Sequence, residues 1–272
     1  MRIDLHVHST YSDGIYAPSA LVELAVGRGV SALSLADHDC VDGIEEARNA
    51  ARDTGIAIIS GVELSSEFQQ KDLHILGYAF DENNDELKSM LERFRDTRHK
   101  RGLKIIENLK KMGVELDPRE VLAKSADGAL GRPHIAETLI ENGFVSNHSE
   151  AFAKFLGEQS PAYVKKHKLS PQDAIKRIHQ AGGLAFIAHP GNLLDNGIQD
   201  LMPFGFDGIE VVHPNHSNSD TEKLKSLADK YGLLMSGGTD YHGFSGRDIQ
   251  IGELELPQAL WEPLRKELGI SG

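Results

Sequence analysis

The chain of 272 residues has a single cysteine, Cys40, which excludes an internal disulfide and makes a reducing cytoplasm the expected setting. It has no apolar run near the ~20 residues that span a bilayer, so no membrane partner is expected. A secretory leader is not expected either, because His6 and His8 already belong to the first strand pattern. Basic residues are few: 29 Lys and Arg against 41 Asp and Glu give a formal charge of −12. That balance argues against a broad nucleic-acid-binding face. It leaves room for a nucleotide, or an RNA end, in a local basic pocket. Internal repeats and low-complexity segments are also lacking.

Against this plain background, histidines and carboxylates stand where apolar runs end. The groups are His6-Val7-His8 with Asp13-Gly14, Asp37-His38-Asp39, Gly61-Val62-Glu63, His74, His189-Pro190 and Asp240-Tyr241-His242. The runs alternate with helical patterns. Residues 2–7 read as a strand, and Pro18 opens a helix stopped by Gly27 and Gly29. Val30–Ala36 is the second strand. Asp42 with Glu45 reads as a capping box for a helix ending near Gly55, and Ile56–Ser60 is the third strand. Later come a helix from Pro171, strands at Leu184–Ala188 and Gly208–Val212, a helix at 219–231 and a strand at Leu233–Ser236. A tail helix over 257–268 should pack Trp261 and Leu264 against them.

Repeated βα units imply a parallel sheet, and seven imply a closed or nearly closed barrel with its chemistry at the C-terminal strand ends. The ten residues between Glu63 and His74 are too few for a crossover helix. Residues 62–66 and 73–80 therefore read as an antiparallel hairpin folding His74 back beside Glu63. Residues 82–170 carry helical patterns alone. The expected architecture is α/β, a distorted (β/α)7 barrel from 1–81 and 171–272 with a helical insertion over 82–170 covering the barrel mouth.

Side chains alternate along a strand, so His6 and His8 face the same way and converge on one ion. The candidate ligands His6, His8, Asp13, His38, Glu63, His74, His189, Asp240 and His242 are too many for one ion and suit two or three. Mixed imidazole and carboxylate donors fit Zn, Mn or Fe rather than Mg or Ca. Cys40 offers only a minor soft-ligand alternative. Clustered metals lower the pKa of a bridging water, supply hydroxide and neutralise phosphate charge. Phosphoester hydrolysis is the first expectation, and amide hydrolysis competes, since amidohydrolase barrels also open with His-x-His.

A basic run, Arg93 to Lys104, contains Arg98 and Arg101 three apart on one helix face, able to grip one phosphate. Arg132 and His134 sit in a Gly-Arg-Pro-His turn. Lys165, Lys166, His167 and Lys168 read as a solvated loop. His213 and His216 are candidates for protonating a leaving alcohol.

The ordered motifs, from His6-Val7-His8-Ser9 through Asp240-Tyr241-His242, resemble those of the polymerase and histidinol phosphatase (PHP) superfamily across the whole chain. Within it they are most similar to phosphoesterases acting on nucleoside 3′,5′-bisphosphates and on the 5′ ends of short RNA. The resemblance implies three sites. His6, His8, Glu63 and Asp240 would hold the first ion; Glu63, His74 and His189 the second, with Glu63 bridging; Asp13, His38 and His242 the third. It also implies that Arg98, Arg101 and Arg132, with His134, bind the substrate's second phosphate. Asp37 and His216 would orient ligands. The implied substrates are a nucleoside 3′,5′-bisphosphate or short 5′-phosphorylated RNA, attacked by a metal-bridging hydroxide, with no obligate protein partner. Rival readings are a histidinol-phosphate phosphatase or similar small phosphomonoesterase, and a non-catalytic metal-stabilised module of a replication assembly. An intact ligand set counts against the module.

Overall fold

A computed structural model describes residues 2–125, 130–166, 168–194, 197–244 and 249–270. Seven strands form one sheet in chain order: β1 (Arg2–Val7), β2 (Val30–Leu35), β3 (Ala57–Phe68), β4 (Lys71–Tyr78), β5 (Leu184–Ile187), β6 (Gly208–Val212) and β7 (Leu234–Gly237). Helices α1 (Pro18–Gly27) and α2 (Ile44–Ala50) make the first two returns between parallel strands. Helix α1 begins on Pro18, whose fixed φ suits a first turn and whose missing N–H is not needed there.

The expected alternation breaks at β3. The third strand and the first arm of the hairpin are one strand of 12 residues, parallel to β2 at its start and antiparallel to β4 beyond. Gln69 and Gln70 make the turn, both with positive φ, the geometry that matches the twist of the flanking strands. β4 then pairs antiparallel with β5, and only β5, β6 and β7 resume parallel order. The sheet is therefore mixed. Among the described residues no ladder joins β7 to β1, and a bridge from Val7 to Tyr241 spans the seam. There His8 N–H donates to Tyr241 O at 2.9 Å and Tyr241 N–H to His6 O at 3.3 Å. Gly238 permits this approach, since a Cβ there would meet the His6 backbone nitrogen at 2.5 Å. The fold is a distorted (β/α)7 barrel whose seam is held by this bridge and not by a continuous ladder.

The capping box at Asp42 does not form. α2 starts one residue later, capped by Gly43 without a side-chain bond, and Asp42 Oδ2 instead accepts from Arg95 at 2.8 Å. Elsewhere α7 (Pro171–Gln180), α8 (Ile198–Leu201) and α9 (Asn218–Tyr231) cover the later strands. α10 (Gln258–Glu267) seals one end, where Trp261 and Leu264 are buried with Ile3, Leu5 and Phe186 as the sequence predicts.

Between β4 and α7 run α3 (Asp85–Lys111), α4 (Pro118–Ser125), α5 (Arg132–Glu141), α6 (His148–Ala151) and a π turn at Phe152–Leu156. Leu87, Met90, Leu91 and Phe94 of α3 join the core against the sheet. From Ile105 onward the apolar residues form a second cluster with Val121, Ile135, Leu139 and Leu156. α3 thus belongs to two cores, and its charged middle, Arg98 and Arg101, lies between them.

Candidate metal centre and the clefts beside it

Glu63 sits near the middle of β3, fully surrounded, and five imidazoles surround its carboxylate. Oε1 lies 2.7 Å from His74 Nδ1 and 3.0 Å from His189 Nε2; Oε2 lies 2.9 Å from His38 Nδ1, 3.3 Å from His8 Nε2 and 3.4 Å from His6 Nε2. Asp240 Oδ1 is 3.2 Å from His8 Nε2 and 3.6 Å from His6 Nε2. Asp13 Oδ1 is 3.2 Å from His242 Nε2, and Asp13 Oδ2 is 3.8 Å from His38 Nε2. All nine candidate ligands from six distant segments are thus in one pocket.

Backbone geometry turns them inward. His189 (φ 29°) and Asp240 (φ 51°) both adopt positive φ, which is uncommon for residues with a side chain and recurs at functional sites. Each follows a strand by two or three residues, and its side chain reaches the shared cluster, His189 at Glu63 and Asp240 at His6 and His8.

Whether this set suits divalent cations is decided by its unpaired atoms. His6 Nε2, His8 Nε2, Asp13 Oδ1, His38 Nδ1, Glu63 Oε2 and His74 Nδ1 are buried and make no hydrogen bond, although they lie close together. Buried polar atoms are almost always partnered, so six orphans aimed at one space call for something between them. Compact groups such as His8–Asp13–His38–His242 and His38–Glu63–His74 have donor atoms within 4.8 Å of one another. The donor set fits divalent metal ions.

The electrostatics agree. Burial alone would raise the Glu63, Asp13 and Asp240 carboxyls, yet their histidine neighbours hold all three well below the ordinary range. Burial lowers His38 to about 4, keeping that ring neutral and its lone pair available.

A second layer fixes the ligands. Glu210 on β6, fully buried, takes His6 Nδ1 at 3.0 Å on one oxygen and accepts from His189 N–H at 2.8 Å on the other. It also makes a compact group with His6 and His213. Glu210 is not among the ligands expected from the sequence, although a carboxylate inside the run Gly208–Val212 is a signal. Asp37 accepts from Ser9 N–H (2.7 Å), Ser9 Oγ (2.6 Å) and Ser12 Oγ, so it shapes the loop carrying Asp13. His216 Nδ1–H bonds Val211 O at 3.1 Å while Nε2 accepts from Gly191 N–H at 3.1 Å. Neither ring nitrogen is free to deliver a proton, so of its two expected roles only the positioning one fits. His213 Nε2 is buried, without a hydrogen bond, 3.7 Å from Asp240 Oδ2. Cys40 is buried, which pushes its thiol well above the usual range, and it lies in none of the compact ligand groups among the described residues.

The basic run of α3 divides. Arg95 and Lys104 make surface pairs with Asp42 and Glu107, whereas Arg98 and Arg101 are buried. Arg98 Nη2 pairs with buried Asp39 and reaches Ser65 Oγ at 3.1 Å. Arg101 Nε donates to Val164 O at 2.7 Å, leaving Nη2 buried and unpartnered. Arg132 belongs to the first turn of α5 rather than a separate turn, and its guanidinium lies over Phe152 (5.3 Å) and Tyr163 (5.8 Å). These three arginines line a cavity of ≈ 210 Å³ together with Asp13, His38, His74 and Lys166.

Lys166 corrects the solvated-loop reading. Its Nζ contacts Ser65 Oγ and lies 4.0 Å from Asp39, and burial with the nearby Arg98 charge lowers its pKa to about 7. Lys168 is likewise held, 2.6 Å from Asp72 and 3.4 Å from Glu67, whereas Lys165 stays exposed. A short charged run without periodicity gave no sign of this. His167 lies outside the described residues. His134 also departs from expectation: it lines a different cleft, with Nδ1 accepting from Gly131 N–H at 3.1 Å.

This fold and this donor set define a class, the metal-dependent phosphoesterases. The PHP domain model matches residues 4–129. A 5′-3′ exoribonuclease of Haemophilus influenzae is 37% identical, covering 89% of this chain and 90% of its own. A 3′,5′-nucleoside bisphosphate phosphatase of Chromobacterium violaceum is 35% identical, covering 98% and 96%. A phosphoribosyl 1,2-cyclic phosphate 1,2-diphosphodiesterase of Eggerthella lenta is 32% identical, covering 92% and 97%. A solved structure from Bifidobacterium adolescentis, described as a metal-dependent phosphoesterase, superposes with a TM-score of 0.88 at 29% identity, covering 97% and 95%. The chain belongs to the PHP family and is a metal-dependent phosphoester hydrolase.

Proposed function

We propose that this protein removes the 3′-phosphate of nucleoside 3′,5′-bisphosphates and releases nucleotides from the 5′ end of short phosphorylated RNA. The observation that carries this reading is adjacency. One cavity is lined both by the candidate ligands His38, His74 and Asp13 and by Arg98, Arg101, Arg132 and Lys166. A substrate with two phosphates about one nucleoside apart matches that pairing. The names of the Haemophilus and Chromobacterium relatives support it.

Two or three divalent ions, of Mn, Fe or Zn type, would be held by His6, His8, Glu63 and Asp240, by Glu63, His74 and His189, and by Asp13, His38 and His242. Bound there, they supply charge to the phosphoryl oxygens and acidify water. The chain's own residues do the rest. Glu63 ties the ligand sets together through both oxygens. Glu210 keeps His6 Nε2 turned inward by engaging Nδ1. The arginines and Lys166 neutralise the distal phosphate and fix the nucleoside, converting binding into alignment. Water's oxygen joins phosphorus, the P–O3′ bond breaks, and a proton ends on the ribose 3′-oxygen. Residues 82–170 act as the specificity-bearing cap.

A phosphate-release assay with Mn compares adenosine 3′,5′-bisphosphate, a short 5′-phosphate RNA and histidinol phosphate. The first two should be hydrolysed at least tenfold more efficiently than the third. Preference for histidinol phosphate selects the rival phosphomonoesterase, and no turnover on any substrate selects the non-catalytic module.

A further inference from the structure

A second cleft opens on the other side of Asp13. Its volume is ≈ 660 Å³, and it meets the cationic cavity at Asp13 and Pro133. The two clefts differ in chemistry. The cationic one is walled by arginines and Lys166. The second presents Ile15, Tyr16, Ile140, His148 and Phe244. Ile15 and Tyr16 are among the most exposed large hydrophobics of the protein, at 48% and 36%. The His148 and Phe244 rings lie 4.9 Å apart, and Tyr16 stacks nearly parallel (8°) on Tyr241 at 6.3 Å.

The ionic groups around this cleft are already balanced. Glu137 is 2.8 Å from His148 Nε2, and Glu141 is 2.6 Å from Lys124 Nζ. No uncompensated cation faces the opening among these residues, so it is not a second phosphate grip. A flat aromatic group fits instead, by stacking, which is tolerant of base identity. Gly243 keeps the wall closed: its φ is +82°, and a Cβ there would meet Ile15 at 2.6 Å and Tyr16 at 2.7 Å.

We infer that this cleft binds the nucleotide that follows the scissile phosphate when the substrate is RNA. The inference rests on the phosphoesterase reading above and extends it. With the 5′-phosphate in the cationic cavity and the 3′-phosphate at the metal centre, the adjoining space lies past Asp13, which lines both clefts. The cleft beyond Asp13 is where the next base arrives. A bisphosphate lacks that nucleotide and leaves the cleft empty.

The test compares adenosine 3′,5′-bisphosphate with the 5′-phosphorylated dinucleotide that adds one adenosine to the same phosphate. His148→Ala removes a stacking surface, and Ser146→Trp, at an exposed cleft position, fills the space. Each should lower kcat/KM for the dinucleotide by roughly tenfold or more. Each should leave the bisphosphate within about twofold. For wild type, replacing the second base with an abasic site should produce the same loss. Equal losses on both substrates, or none on either, overturn the subsite while the phosphoesterase reading stands. A wild-type enzyme that hydrolyses neither substrate removes both.

Discussion

His6 Nδ1 and Glu210 Oε1 lie 3.0 Å apart, and neither side chain is exposed to solvent. The pair sits behind the metal centre, with His6 Nε2 on the opposite side of the ring facing Glu63 and Asp240. Burial would lower His6, but the Glu210 and Glu63 charges raise its pKa well above the usual value. The contact fixes which nitrogen is left for a ligand. A carboxylate that orients a histidine in this way is normally as important as the ligand itself.

Glu210→Ala should therefore lose metal and activity together, by about 10- to 100-fold in metal affinity or kcat/KM. Metal content after dialysis and turnover at saturating Mn read the two separately. Glu210 also holds His189 N–H, so the loss should reach both ends of the centre. Full occupancy and full turnover would remove the positioning role.

Arg98 and Asp39 form a buried ion pair with side-chain exposures of 7% and 0%. Removing one partner leaves a lone buried charge, at a cost of about 3–5 kcal/mol. Arg98→Met should lower thermal stability sharply, and Arg98→Met with Asp39→Asn should recover most of it. Burial would raise the Asp39 carboxyl, but Arg98 and Lys166 bring it to about 2. Its folded value lies below the unfolded one. The pair's stabilisation is therefore full above pH ~4 and fades as pH falls through ~2. Additive losses in the double variant would show that the two residues are uncoupled.

Arg132 is aimed by two aromatic rings into the cationic cavity. Arg132→Ala should raise KM for a nucleoside 3′,5′-bisphosphate by roughly tenfold or more, the scale of a lost charged hydrogen bond. An aryl phosphate, which has no second phosphate, should change little. Equal effects on both substrates would mean that Arg132 only supports the fold of α5.

Lys166 gives a pH signature. Its pKa of about 7 means that it is cationic below that pH and neutral above it. If it grips the distal phosphate, kcat/KM for the bisphosphate falls as pH rises through ~7. The aryl phosphate lacks this limb. Lys166→Arg, charged throughout, should flatten the ratio of the two profiles. An unchanged ratio in the variant places the titration elsewhere.

Much of the centre is legible in the sequence alone. The x-alternation of His6 and His8 and the position of His189 and Asp240 after apolar runs follow from strand periodicity, which needs only local sequence. The hairpin from β3 to β4 followed from a count of residues too small for a helix. Three things were not legible. The continuity of β3 through Glu63 depends on pairing with β2 at one end and β4 at the other, which no local pattern records. The burial of Lys166 and its neighbour Arg98 depends on α3 lying against the segment before α7, over sixty residues later. His134, read as part of the phosphate grip, lines the opposite cleft because α5 begins at Arg132 and its successive side chains diverge around the helix.

The sequence by itself determined the chemistry: which residue types gather where strands end, and that an acidic chain carries a local basic run from Arg93 to Lys104. Tertiary structure alone decided the partition of the mouth. Packing α3 and α5 over the barrel separates a cationic cavity from an aromatic cleft, with Asp13 between them. Ligand identity is written in single positions and short spacings, whereas the shape of a cleft is a product of contacts between segments far apart in the chain.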